Sequence, residues 1–181
     1  MLMRVETSCL LVVDFQERLM PAIHQVDAVV ANGVWLIQIA QRLGAPVLAS
    51  EQYPQGLGHT VAAIRELLPD EAFMTKTHFS CAAERDCMSR IDALDREQIV
   101  MIGVEAHVCV LQTALDLRAA GKEVFLVADA VSSRSPRDGE LALARMRAEG
   151  VRIVSREMVA FEWLHQAGTD RFRAISREFL R

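Results

Sequence analysis

Cys109 stands in the run Val100-Met-Ile-Gly-Val-Glu-Ala-His-Val-Cys109-Val-Leu-Gln-Thr. An apolar stretch from Ile99 to Ile102 closes on Gly103, and Val108, Leu111, Ala114 and Leu115 then recur at helical spacing. A thiol at the mouth of a helix is favoured as thiolate by unpaired backbone N–H groups and by the positive end of the helix dipole, so Cys109 is a candidate nucleophile. Cys9-Leu-Leu-Val-Val-Asp14 is a second short apolar run, closed by an acid, and Phe73-Met-Thr-Lys76-Thr-His-Phe79-Ser80 is a third that runs into a lysine. Each residue also has a plain structural reading. Free Cys packs as a small hydrophobe, Asp caps helices and shapes turns, and most lysines are solvated.

The elements that must position these side chains are short apolar runs alternating with amphipathic segments, the pattern of a parallel sheet wrapped by helices. Strands are expected near 9–13, 46–50, 72–76, 98–103, 123–128 and 151–155. Helices are expected near 27–43, 60–67, 84–93, 107–120 and 136–149, with one or two more after 157. Gly44, Gly121 and Gly150 each follow a helix just before a strand, where a left-handed stop belongs. There is no linker, repeat or low-complexity segment, so residues 1–181 read as a single α/β domain.

Four segments taken together resemble the metal-independent cysteine-hydrolase branch of the isochorismatase-like hydrolase family. They are Asp14-Phe-Gln16, Ser50-Glu-Gln-Tyr-Pro-Gln-Gly-Leu-Gly58, Lys76-Thr-His-Phe-Ser80 and Gly103-Val-Glu-Ala-His-Val-Cys109-Val-Leu-Gln-Thr-Ala-Leu-Asp116. The resemblance runs in order from about residue 8 to about residue 160. It implies a three-layer α/β/α fold with a six-stranded parallel sheet in the order 3-2-1-4-5-6. It also implies a triad of Cys109 as nucleophile, Asp14 as acid/base and Lys76 as electrostatic support. An oxyanion hole would be formed by the backbone N–H groups of Glu105 and Cys109, with a cis peptide between Val104 and Glu105. Phe15, Gln16, Tyr53 and Phe79 are candidate substrate-pocket residues.

The chemistry suits these residue types, because a free thiol with a pKa of about 8.5 is mostly protonated at neutral pH and needs a base or cation beside it. The thiolate attacks a small amide or related acyl carbonyl, and a thioester forms that water then hydrolyses. Two other readings stand beside this one: a thiol that senses oxidants or electrophiles without hydrolysis, and vinyl-ether cleavage, which uses the aspartate without the thiol. His107 lies two residues from Cys109, a spacing that turns the side chains apart, and reads as structural or solvent-facing. The role of His59, on the loop after Gly58, is open.

The nicotinamidase branch carries an Asp-x-His pair and further histidines after the second strand. Ser50 to His59 holds one histidine and one acid there, so no metal and no cofactor are expected. Cys81 and Cys87 lack the spacing of a zinc knuckle. A net charge of −4 argues against a nucleic-acid surface, and no run approaches the ~20 apolar residues of a membrane span. Four irregularly spaced cysteines and no leader-like start place the chain in the cytoplasm with reduced thiols. The first long helix, with Val26, Val29, Val30, Val34, Ile37 and Leu43 and with Trp35 and Leu36 adding to its width, is wide in its apolar face and suggests a homo-oligomer. A small-molecule substrate is the remaining expected partner.

Overall fold

Strands form where the apolar runs end in turn residues: β1 (Ser8–Val13), β2 (Val47–Gln52), β3 (Phe73–Lys76), β4 (Gln98–Val104), β5 (Glu123–Ser132) and β6 (Arg152–Val154). The computed structural model describes residues 1–180. All neighbouring strands are parallel, in the order β3-β2-β1-β4-β5-β6. The strands of such a sheet are covered on both faces, which is why β1 and β4 are buried along their whole length.

The two faces feed separate cores, and the two-residue period of a strand sorts the side chains between them. Leu10, Val12, Val100, Ile102, Phe125 and Val127 point to one side, against α1 (Val26–Leu43), α3 (Ala62–Arg65), α7 (Arg156–Leu164) and α8 (Asp170–Phe179). Cys9, Leu11, Ile99, Met101, Val124 and Leu126 point to the other, against α4 (Arg85–Ala93), α5 (Leu111–Ala119) and α6 (Pro136–Ala148). Gly44, Gly121 and Gly150 all take the left-handed conformation after their helices.

Several elements depart from the expectations in ways that matter for the site. β2 runs on to Gln52, so Glu51 and Gln52 belong to the sheet. A one-turn helix, α2 (Pro54–Leu57), occupies what reads as loop, with Pro54 pre-set for its first position. The segment 107–120 is two structures, a π-helical turn at Ala106–Val110 followed by α5. Much of the apolar width of α1 is covered by the chain itself. Trp35 Nε1 donates to Phe179 O at 3.0 Å, and the Arg156 guanidinium lies over the Trp35 ring, 4.6 Å from its centre.

β1 and β4 lie side by side where the strand order reverses, the place where open α/β sheets bind ligands. The approach is close at Gly103, opposite Val13. Its φ is 141°, and a Cβ there would lie 2.2 Å from the Val13 carbonyl oxygen. Only glycine fits this position.

Candidate active site

Asp14 follows directly on β1, in a left-handed conformation with its N–H donating to Ser50 O at 3.1 Å. Lys76 ends β3, two strands away, and its side chain must cross β2 to reach β1. It does so beside Gln52, its partner in the β2–β3 register. Lys76 Nζ donates to Asp14 Oδ2 at 2.8 Å, to Gln52 Oε1 at 2.7 Å and to Phe79 O at 2.9 Å. All three ammonium protons are therefore used. The second Asp14 oxygen accepts from Ser50 Oγ at 2.6 Å, and both ion-pair side chains are 0 % exposed.

Cys109 lies in the π-helical turn, so its thiol approaches the same carboxylate from the β4 side. Sγ is 4.0 Å from Gln52 Oε1, the oxygen that also accepts from Lys76. The Val104–Glu105 peptide just before the turn is cis. The turn is tied down by a side-chain clamp. Glu105, 5 % exposed, accepts from Arg134 Nε at 3.1 and 2.9 Å, from Arg134 Nη2 at 2.5 Å and from the Arg134 backbone N–H at 2.9 Å.

Burial dominates the proton affinities here. It pushes the Asp14 carboxyl above the usual carboxylate range, against the pull of the Lys76 ammonium and the Ser50 hydroxyl. For Lys76 burial acts downward, but the Asp14 carboxylate and the neighbouring thiols Cys109 and Cys81 outweigh it and hold the ammonium above its ordinary value. The Cys109 thiol is pushed well up by burial and then by the Asp14 carboxylate, with Lys76 opposing. The low-dielectric surroundings and the adjacent carboxylate thus favour the neutral thiol, and the Lys76 ammonium favours the thiolate.

Cys109 forms part of the wall of a cavity of about 210 Å³ that is also lined by Leu19, Gln52, Leu57, Phe79, Val108, Glu105 and Arg134. Of the four aromatic and amide residues expected at the pocket, Phe79 lines it. Phe15 is turned into the core, close against Gly33. Gln16 is buried behind the cavity and clamps β2: its Oε1 accepts from Gln52 N at 2.7 Å, and its Nε2 donates to Gln52 O at 2.9 Å and Gly58 O at 2.8 Å. Tyr53 is largely exposed, with its ring over Gly56. His107 Nδ1 is paired with Ser133 Oγ at 2.9 Å, and His59 Nδ1 with Glu51 Oε2 at 2.9 Å. Neither ring reaches the cavity lining. Glu51 is further occupied by Thr60 N at 2.7 Å, and among the described residues no group of three or more His, Cys, Asp or Glu side chains could hold a metal ion.

The sequence marks Ser50 and Gln52 only as members of a family segment, without a role at the ion pair, and Arg134 not at all. For the first two a signal existed: polar residues two apart at the end of an otherwise apolar strand share a face. Arg134, 29 residues beyond Glu105, carried none.

A thiol, a carboxylate and an ammonium group are gathered at the switch point of a doubly wound parallel sheet in the order 3-2-1-4-5-6, and comparison with known proteins names the family of this domain. Residues 8–158 match the Isochorismatase domain. Isochorismatase domain-containing protein 2 of Danio rerio is 40 % identical over 172 residues, which cover 94 % of this chain and 85 % of that protein. A solved structure described as the MAR1 ribonuclease of Caenorhabditis elegans superposes with a TM-score of 0.92 at 31 % identity, covering 100 % of this chain and 93 % of that one. The YcaC gene product of Escherichia coli, described as an octameric hydrolase of unknown specificity, shares the fold with a TM-score of 0.92 at 21 % identity, over 99 % of this chain and 91 % of that one. The chain belongs to the isochorismatase-like hydrolase family. None of its described helices is long and apolar enough to cross a membrane.

Proposed function

We propose that the protein is a metal-independent cysteine hydrolase that cleaves a small amide or related acyl compound through a thioester on Cys109. The observation that carries this reading is the fully buried Lys76–Asp14 pair, 2.8 Å apart, beside the one thiol that lines the cavity.

Each step has a group for its proton. As Sγ attacks the substrate carbonyl, the thiol proton passes to Asp14, whose burial-raised proton affinity makes it an acceptor matched to a buried thiol. Lys76 stays charged and faces the developing negative charge. The backbone N–H groups of Glu105 and Cys109 serve the oxyanion. Asp14 then gives its proton to the leaving nitrogen, the C–N bond breaks and the amine departs, leaving the thioester and an ionised Asp14. Water enters, loses a proton to Asp14 and attacks the thioester. Collapse of the second tetrahedral intermediate expels the sulfur, which recovers the proton.

A base and a counter-charge built against the thiol, the Lys76–Asp14 pair, serve acyl transfer, whereas an oxidant sensor requires no such proton acceptor. A nucleic-acid substrate, which the name of the C. elegans relative raises, calls for a basic surface, and this chain carries a net charge of −4. Four free cysteines fit a reducing compartment, the cytoplasm. Assembly into a homo-oligomer completes the proposal. The E. coli neighbour is octameric, and a shallow apolar groove remains on α1 around Val30, Ala31, Val34 and Trp35. Light scattering on the purified chain checks it.

The direct test is intact-protein mass spectrometry during incubation with a panel of small amides. A labile acyl adduct on Cys109, with turnover abolished in Cys109→Ala, supports the reading. Turnover that survives Cys109→Ala points to chemistry by the aspartate alone and overturns it.

A further inference from the structure

We infer that the site selects uncharged acyl compounds with a small apolar end and discriminates against substrates bearing a carboxylate or an ammonium group. This inference rests on the hydrolase reading above and narrows its substrate class.

The charges at the site cancel locally. Lys76 is neutralised by Asp14 at 2.8 Å and has no proton left for a ligand. The one cation among the cavity's lining residues, Arg134, gives Nε, Nη2 and its backbone N–H to Glu105, so that the pair carries no net charge, although the Arg134 side chain itself is 63 % exposed. The six remaining lining residues are uncharged, and Leu19, Leu57, Val108 and Phe79 supply an apolar wall. A substrate carboxylate near Arg134 meets Glu105 as well, and a substrate ammonium near Glu105 meets Arg134. Either ion loses water and meets a pair of zero net charge, which is unfavourable in a partly enclosed space. The volume of about 210 Å³ lies below the ~300–1,000 Å³ of clefts that take drug-sized ligands, so the acyl part is small.

Alkylation of Cys109 reads this selectivity without needing turnover. Iodoacetamide and iodoacetate deliver the same carbon to sulfur, forming the S–C bond as iodide leaves, and differ in charge. With each rate divided by that of N-acetylcysteine, the native protein is expected to prefer iodoacetamide by about tenfold or more, the cost of bringing an unpaired ion into such a site. Glu105→Gln frees the Arg134 charge and is expected to raise the iodoacetate rate, collapsing the preference. Arg134→Gln leaves Glu105 ionised and is expected to widen it. These opposite directions keep the test informative when one variant fails to fold. A native ratio equal to or below that of N-acetylcysteine, or a ratio unmoved by whichever variants fold, overturns the inference. The amide panel then separates the two proposals. Turnover of 4-methylpentanamide above its anionic counterpart succinamate supports both. Preference for succinamate sinks the selectivity and leaves the hydrolase standing, whereas failure to turn over any amide counts against the hydrolase while the alkylation ratio still reports on charge.

Discussion

Lys76→Met keeps the length and apolar stem of the side chain and removes its ammonium. At 2.8 Å and an effective dielectric of about 20, the lost Coulomb attraction to Asp14 is about 6 kcal/mol, partly offset because methionine has no charge to desolvate. Breaking a fully buried pair from one side costs about 3–5 kcal/mol net. Gln52 Oε1 and Phe79 O lose a donor too, at about 1 kcal/mol or more each. The expected loss is therefore about 5–7 kcal/mol, comparable with the whole stability of many domains. Asp14→Asn, which strands the ammonium instead, is expected to cost about 3–5 kcal/mol. The double variant leaves a neutral amide beside a thioether, so the singles must overshoot it by about 3 kcal/mol. Urea unfolding followed by circular dichroism at pH 7 measures all four corners of the cycle. The pH dependence has a definite sign. In Lys76→Met the buried carboxylate is unpaired and its proton affinity rises further, so protonation relieves it and the deficit against the native protein shrinks as the pH falls. Single-variant losses that simply add, or a deficit that stays constant between pH 8 and pH 5, would refute the reasoning.

Gly103→Ala places a Cβ 2.2 Å from Val13 O at a φ of 141°, so unfolding experiments are expected to show a loss of about 3 kcal/mol or more, and activity falls because Val13 leads into Asp14. Arg134→Ala releases the clamp on the Glu105 turn, and kcat is expected to drop about tenfold to a hundredfold with a smaller change in KM, as for a positioning residue; Arg134→Lys, which cannot form the bidentate pair, recovers only part of it in steady-state assays. The Cys9 thiol is pushed by burial from an ordinary 9.0 to about 12, so the folded chain holds a proton that the unfolded chain releases. Its stabilising contribution is complete below pH 9.0 and is lost toward pH 12 at about 1.4 kcal/mol per pH unit, and the stability of Cys9→Ala is expected to fall less steeply over that range.

The elements were legible wherever a local rule and the sheet agreed, and the strand order came through the family resemblance. The six strands, the glycine stops at Gly44, Gly121 and Gly150 and the helix from Val26 to Leu43 follow from hydrophobic period and turn chemistry, which act within a few residues. The turn at Ala106–Val110 was hidden because a π-helix and an α-helix bury similar faces over so short a span. Phe15 and Tyr53 show the limit for pocket residues. Aromatic side chains beside a site serve the core or solvent equally well, and which they do depends on packing partners such as Gly33 and Gly56.

The types and places of the three chemical groups were determined by the sequence alone: an acid and a lysine each at the carboxyl end of an apolar run, and a cysteine in the turn that follows another, in segments that together mark a family. Tertiary structure decided their condition. Lys76 reaches Asp14 across β2, beside Gln52, and the clamp of Arg134 on Glu105 joins residues 29 apart in the chain. Whether the thiol rests as an anion or a neutral group was likewise undecidable from its neighbours in sequence. Proton affinity depends on how much water the whole fold removes and which charges it brings within a few ångströms, and here burial and Asp14 outweigh Lys76.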